Sequence, residues 1–154
     1  MENLNFLNVD DLIHTPKEFE DVFDLLHDSL DLKISQIFML GLTIGMKSGI
    51  KLPASDGNGR QFRQSYFKNK SDLGIQYALA IKEGILDGEE GKFADNKVQK
   101  QVKEMLSEYA NQGFMILRDE LFSNLIKQHK TKSKIEVIKL LSQYVIDLNE
   151  DIPF

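Results

Sequence analysis

A stripe of acidic side chains and one histidine on a predicted helix is the first group whose types and spacing suit chemistry. It consists of Glu20, Asp24, His27 and Asp31. At 100° per residue these positions fall within a wedge of about 60° on one helix face. Carboxylates beside an imidazole suit a divalent cation, but metal sites usually show several ligands in tight spacing, and the other two histidines lie elsewhere. We therefore predict no metal site, and expect an acidic docking face for a basic partner or a solvated helix face.

A basic segment over residues 50–70 is the second group. Its cations are predicted to bind an anion or a nucleic-acid backbone, and they are Lys51, Arg60, Arg63, Lys68 and Lys70. Gly57-Asn58-Gly59 has the composition of a turn that exposes backbone N–H groups to an anion. Three aromatic residues, Phe62, Tyr66 and Phe67, are interleaved with the cations, a composition typical of stacking on bases. The alternative is a surface loop whose aromatic residues anchor it to the core.

Neither group predicts catalysis. No glycine-rich phosphate fingerprint is present, since no third glycine and no Gly-Lys-Ser/Thr follows Gly57 and Gly59. No serine stands in a nucleophile-elbow pattern, and the chain has no cysteine. We therefore expect a non-enzymatic protein with no catalytic residues and no cofactor.

Charge is segregated along the 154 residues, whose net charge is −5. Residues 1–31 hold nine acidic residues and one base, whereas residues 47–70 hold six bases and one acid. We expect the two segments to neutralise each other, within the fold or across an oligomer. The opening residues have no secretory signal, and the longest near-apolar stretch is too short to cross a membrane. These features predict a soluble, cytoplasmic protein.

Hydrophobic periodicity predicts an all-α fold, a compact bundle of five or six helices forming a single domain over residues 1–154. Residues 1–14 are expected to be an N-terminal arm. Thr15-Pro16-Lys17-Glu18 predicts a helix start, with Thr15 as the cap. The long basic loop of residues 50–70 separates the second and third helices, and residues 133–149 form the C-terminal helix. Asn111-Gln112-Gly113 is expected to bend or break the helix that Asp95 caps.

The second predicted helix, residues 33–47, is apolar nearly all round, which is typical of the buried centre of a bundle. Gly41 and Gly45 lie four residues apart on it. Each glycine lowers helix stability by up to about 1 kcal/mol relative to alanine. Close approach of another backbone would offset this cost, so we expect a neighbouring helix to pack on the two glycines.

Several segments occur in an order that resembles a known family. They are the helix over residues 37–49 with Ile50-Lys51-Leu52-Pro53, the basic segment, the helix over residues 75–86, and Tyr109-Ala110-Asn111-Gln112-Gly113-Phe114. Over residues 34–125 the chain resembles the accessory proteins associated with Dnd (DNA phosphorothioation) systems. It departs from that pattern at Met46-Lys47-Ser48-Gly49, where the family favours a Gly-Arg-Arg-type turn. The resemblance implies a role in a prokaryotic DNA-modification or anti-phage defence system, and it supplies no catalytic residues.

Together these features predict a non-enzymatic adaptor of such a system. It would bind a protein partner through the acidic stripe and contact DNA or RNA backbone through the basic segment. The alternative is a homo-oligomeric protein-interaction module with no role in nucleic-acid binding.

Overall fold

The structure is a computed structural model that describes residues 11–54, 58–88, 95–128 and 134–150, with side chains through residue 148. Within these residues the fold consists of six α-helices and one small two-stranded sheet, which confirms the prediction of an all-α bundle. The helices are α1 (Glu20–Leu30), α2 (Ile34–Ser48), α3 (Lys70–Lys82), α4 (Asn96–Ile116), α5 (Ser123–Lys127) and α6 (Lys134–Glu150). The strands are β1 (Leu12–His14) and β2 (Gln61–Arg63). None of the described helices combines the length and the apolar composition that a bilayer crossing requires.

Helices α2 and α4 cross at the centre of the molecule with their backbones in contact. A Cβ atom placed on Gly45 would lie 1.7 Å from the carbonyl oxygen of Tyr109. A Cβ atom on Gly113 would lie 1.8 Å from the carbonyl oxygen of Gly41. Glycine is therefore required on both helices, and the predicted close approach at Gly41 and Gly45 is confirmed.

A cluster of phenylalanine rings around Phe38 ties the segment before α3 to this core. The centroid of the Phe38 ring lies 5.5 Å from that of Phe62, 5.8 Å from that of Phe67 and 6.2 Å from that of Phe114. Phe38, Phe62 and Phe67 are all buried. Because Phe62 lies on β2 and Phe67 follows it closely, the later half of the basic segment is a packed part of the fold.

The described end of the N-terminal arm forms a small sheet with the basic segment. In its described residues, β1 pairs antiparallel with β2, and Ile13 lies opposite Phe62. Ile13 is buried, while its neighbours on β1 are exposed. The arm therefore packs onto the basic segment through one apolar side chain, and residues 1–10 lie outside the described part.

The ends of several helices follow the predicted signals. Gly49 ends α2 with a positive φ of 73°. The carboxylate of Asp95 accepts hydrogen bonds from the N–H groups of Lys97 and Val98 and so caps α4. Helix α3 is capped by Asn69, two residues before the cap Ser71 that the sequence indicated; the side chain of Asn69 accepts a hydrogen bond from the N–H group of Ser71.

The prediction that Asn111-Gln112-Gly113 breaks the helix is wrong. Helix α4 continues to Ile116, and all three residues are buried against α2 and the segment after it. The helix instead widens into a π-helical turn at Leu117–Leu121 before α5 begins. The described C-terminal helix, α6, covers the predicted one from Lys134 onward; Ser133 at its predicted start and Gly57 of the predicted turn lie outside the described residues.

Candidate functional site

An ion pair joins the two groups that the sequence singled out. The guanidinium of Arg60, from the basic segment, donates a hydrogen bond to the carboxylate of Asp24, from the acidic stripe. Their side chains are 41% and 46% exposed, so the pair contributes at most about 1 kcal/mol to stability. Its main effect is electrostatic, because it neutralises one charge of each candidate site within a single chain.

The backbone at Arg60 is fixed by Thr15. The N–H group and the hydroxyl of Thr15 both donate to the carbonyl oxygen of Arg60, each at 2.9 Å. The N–H group of Gly59 donates to the carbonyl oxygen of Thr15 at 2.8 Å. A Cβ atom at Gly59 would lie 2.7 Å from the carbonyl oxygens of Thr15 and Pro16, so this position needs glycine.

The predicted helix cap at Thr15 is therefore wrong. No side chain caps the helical turn at Lys17–Phe19, and α1 begins only at Glu20. The hydroxyl of Thr15 is used across the sheet instead, because strand pairing brings Arg60 within its reach.

Lys51 lies apart from the other predicted cations, in a cluster with Glu83 and Tyr109. Its ammonium group is 3.1 Å from the carboxylate of Glu83 and 5.8 Å from the centroid of the Tyr109 ring. The hydroxyl of Tyr109 also donates to Glu83. Hydrogen bonds from Tyr109 and Lys51 lower the pKa of Glu83, and the bond to Glu83 raises the pKa of Tyr109 to about 12. This cluster joins the segment after α2 to the end of α3 and to α4.

Besides the paired Lys51, three cations of the basic segment are exposed: Arg63, Lys68 and Lys70. Within the described part of the chain, none of the three forms an ion pair. The aromatic residues among them divide into two kinds. Phe62 and Phe67 are buried, as the anchoring alternative expects, whereas Tyr66 is 57% exposed, as stacking would require.

Lys68 and Tyr66 line a surface cleft of about 460 Å³ with His27 from the acidic stripe. The remaining lining residues belong to the start of α2 and are Lys33, Ile34 and Ser35. Among the described residues, none that lines this cleft is acidic. The Nδ1 atom of His27 lies 3.1 Å from the carbonyl oxygen of Leu32, within hydrogen-bonding distance. The structure thus brings one residue of each predicted site together in a concave, cationic and partly aromatic surface, which we call the Tyr66 cleft.

The acidic stripe does not gather into a metal site. Among the described residues, no three histidine, cysteine, aspartate or glutamate side chains lie close enough to hold an ion. Asp24 pairs with Arg60, and His27 lines the Tyr66 cleft. Asp31 ends α1 with a left-handed backbone, at a φ of 55°. Glu20 lies in the first turn of α1, where a negative charge favours the helix.

Sequence reasoning missed the residues that the start of α2 contributes to this cleft, Lys33 and Ser35. A signal was present, because only Asp31, Leu32 and Lys33 separate α1 from α2. So short a connection places the end of the first helix beside the start of the second. The proximity of Lys33 to His27 follows from that turn, whereas the proximity of Tyr66 depends on the tertiary fold.

A larger cleft of about 530 Å³ lies between β1, Pro53-Ala54 and the outer face of α4. Its charged residues are of both signs and include Lys100, Lys103, Glu104 and Glu108. Lys103 forms an ion pair with Asp11 at 2.7 Å. Because this lining carries charges of both signs, it favours neither an anionic nor a cationic ligand. The Tyr66 cleft is therefore the better candidate for a binding site.

No protein-family model matches the chain, nor does any curated protein or solved structure. The resemblance to the Dnd-associated accessory proteins therefore stays a prediction from the sequence.

Proposed function

We propose that this protein is a non-enzymatic, cytoplasmic adaptor that contacts the nucleic-acid backbone through its basic segment and binds a protein partner. The observation that carries the proposal is the group of exposed cations Arg63, Lys68 and Lys70. No ion pair within the described residues neutralises them, and they occupy a segment held in place by β2 and by buried rings. The assignment to a DNA-modification or anti-phage defence system rests on the sequence resemblance over residues 34–125.

A preorganised cationic segment suits phosphate contact. Binding a flexible loop costs conformational entropy, and a loop that is already ordered avoids most of that cost. Two features hold the described part of the segment in place. Thr15 donates hydrogen bonds to the carbonyl oxygen of Arg60, and Phe62 and Phe67 are buried. The net charge of −5 opposes long-range attraction to nucleic acid, so contact depends on the local surface and on a partner that adds positive charge.

Arg60 takes a different role from the one expected from the sequence. Its charge is already neutralised by the ion pair with Asp24. Arg60 therefore helps to position the segment rather than to bind phosphate. Lys51 is likewise paired, with Glu83. The proposed phosphate contacts are therefore Arg63, Lys68 and Lys70.

The salt dependence of duplex-DNA binding tests the backbone contact. For duplex DNA each neutralised phosphate contributes about 0.9 to the slope of log K against log salt. We expect the double variant Arg63→Ala/Lys70→Ala to reduce that slope by about 2. Lys47→Ala, an equally exposed cation at the far end of α2, should leave it unchanged. An unchanged slope in the double variant, with its fold intact by circular dichroism, would exclude these two residues as phosphate contacts.

The acidic stripe is proposed as the face for the protein partner. Asp31 is exposed and Glu20 half-buried, and neither forms an ion pair within the described residues. In a pull-down from the native host, the double variant Glu20→Gln/Asp31→Asn should lose a partner that the wild-type chain captures. The same partner captured equally well by both proteins would place the interface elsewhere.

A homo-oligomer is the second candidate, and the outer face of α6 favours it. Ile135, Ile138, Val145 and Ile146 are exposed there, and Ile135 is 69% exposed. The first half of α6 carries Lys134 and Lys139 against Glu136, and the second half carries Asp147 and Glu150. An antiparallel α6 of a second copy would therefore place opposite charges near each other. Multi-angle light scattering should report a dimer that Ile138→Asp converts to a monomer; a wild-type monomer at high concentration would exclude this candidate.

A further inference from the structure

We infer that the Tyr66 cleft binds one unpaired nucleotide of a single-stranded nucleic acid, with the phosphate between Lys33 and Lys68 and the base on the ring of Tyr66. This inference rests on the proposed function and narrows it, because it names the single strand as the form recognised. It is carried by the charge, the aromatic surface and the shape of the cleft.

The charge of the cleft suits a phosphate. Two lysines and a histidine line it, and no acidic side chain in the described part of the chain does so. The start of α2 contributes Ile34 and Ser35, and no acidic residue lies in the first turn of this helix. The N–H groups of a first helical turn have no acceptor inside the helix, and the helix dipole adds positive potential there. The N–H group of Lys33 is already used, since it donates to the side chain of Gln36 at 2.8 Å.

The aromatic surface suits a base. Tyr66 is the exposed ring of the segment, and its neighbour Phe67 is packed against Phe38 and Phe62. The short helical turn at Gln64–Tyr66 is closed by a hydrogen bond from the N–H group of Phe67 to the carbonyl oxygen of Gln64, at 3.1 Å. The Tyr66 ring therefore stands on a fixed backbone beside Lys68, as a stacking platform requires.

The shape of the cleft selects an unpaired nucleotide. A volume of about 460 Å³ lies within the range of roughly 300–1,000 Å³ that is usual for small-molecule sites. In a duplex the faces of the bases are covered by their neighbours, so a base stacks on a protein ring only when it is unpaired. A duplex would reach Lys68 and Lys70 with its backbone but would leave Tyr66 without a partner.

Fluorescence anisotropy with the full-length chain tests the inference, using a labelled oligo-dT strand and a labelled hairpin duplex of equal length as probes. We expect tighter binding of the single strand. Tyr66→Ala should weaken single-strand binding by about 5- to 150-fold, the factor that corresponds to 1–3 kcal/mol of stacking per base. Tyr66→Phe keeps the ring and should bind like the wild type.

The lysines are tested by the salt dependence of the same single-strand binding. Lys33→Ala and Lys68→Ala should each lower the slope by about 0.7, the contribution of one phosphate of a single strand. Lys47→Ala is the matched control, because it removes a lysine from the opposite end of α2, about 20 Å away. Circular dichroism melts confirm that each variant is folded, which is expected because all these side chains are exposed.

The outcomes separate the inference from the proposed function. If both probes bind equally and Tyr66→Ala has no effect, while Arg63→Ala/Lys70→Ala weakens binding, the inference is wrong and the backbone contact stands. If the single strand binds through Tyr66 and the double variant has no effect, the inference stands and that backbone contact is wrong. If neither probe binds at the highest soluble protein concentration, the inference is overturned, because the cleft lies within this chain and needs no partner.

Discussion

Replacing Gly45 by alanine adds one methyl group where α2 and α4 lie closest. The new Cβ atom would lie 1.7 Å from the carbonyl oxygen of Tyr109 and 2.6 Å from its carbonyl carbon. Ordinary van der Waals contact begins at 3.4 Å, so the two backbones would have to separate by about 1.5 Å or more. Because a backbone carbonyl inside a helix cannot rotate away, the contact cannot be relieved by a side-chain rearrangement.

The magnitude follows from two opposing effects. Overpacking a core costs about 1–3 kcal/mol, and a contact with backbone belongs at the upper end of that range. Alanine is a better helix former than glycine by up to about 1 kcal/mol, which offsets part of the loss. The net loss of unfolding free energy is therefore expected to be about 2 kcal/mol, a large share of the 5–15 kcal/mol typical of a domain.

Gly74 is the matched control, because it also lies inside a helix, α3, and a Cβ atom there would meet nothing within 4 Å. Gly74→Ala should raise the unfolding free energy by about 0.5–1 kcal/mol through helix propensity alone. Urea denaturation followed by circular dichroism measures both variants, with the slope m checked for constancy. The reasoning is refuted if Gly45→Ala is as stable as the wild type, or if both variants lose stability to the same extent.

Three further substitutions test other parts of the fold. Phe38→Ala removes the ring at the centre of the aromatic cluster and should cost about 3–5 kcal/mol in urea denaturation; a loss below about 1 kcal/mol would show that this ring is not central. Glu83→Gln should lower the melting temperature at neutral pH. Since hydrogen bonds from Tyr109 and Lys51 hold the folded-state pKa of Glu83 below its ordinary value, the difference from wild type should shrink as the pH falls through that folded-state pKa, and a difference independent of pH would contradict this. Asp31→Gly should raise the unfolding free energy by about 0.5–1 kcal/mol, because glycine adopts a φ of 55° without strain, and a loss of stability would show that the carboxylate has a structural contact.

The centre of the fold was predictable because its signals are local. The apolar surface of α2, the four-residue spacing of Gly41 and Gly45, and the caps at Gly49 and Asp95 each depend on neighbours within a few residues. A glycine pair on an otherwise apolar helix lowers helix stability unless a backbone packs against it, so the pattern itself indicated a partner helix.

The contacts of the candidate site were not predictable in the same way, because they join residues far apart in the sequence. Arg60 and Asp24 are 36 positions apart, and their pairing depends on β1 and β2 lying side by side. Thr15 carried the local signal of a helix cap, but the sheet offered its hydroxyl a carbonyl oxygen instead. The break expected at Gly113 does not occur for a related reason: this glycine fits against the backbone of Gly41 within a continuous helix.

The exposure of Tyr66 shows why composition alone did not locate the site. Successive side chains of β2 point to opposite faces of the sheet, so Phe62 is buried and its two neighbours are exposed. The helical turn after the strand ends this alternation of buried and exposed residues. Of the two rings that follow, Phe67 turns inward and Tyr66 outward. The anchoring interpretation is thus right for Phe62 and Phe67, and only the fold shows that Tyr66 is the ring left exposed.

Asp31 is relevant to both proposed binding sites, the acidic stripe and the Tyr66 cleft. It belongs to the acidic stripe, and it lies two positions before Lys33 of the Tyr66 cleft. Its carboxylate is unfavourable for α1, because a negative charge opposes the dipole at a helix C-terminus and its backbone is left-handed. A carboxylate two positions before Lys33 would also lower the positive potential that a phosphate needs. Docking of a basic partner, which we propose for the acidic stripe, would use this carboxylate. Asp31→Gly should raise stability, strengthen single-strand binding and weaken partner capture, and partner capture that is unaffected would remove Asp31 from the docking face.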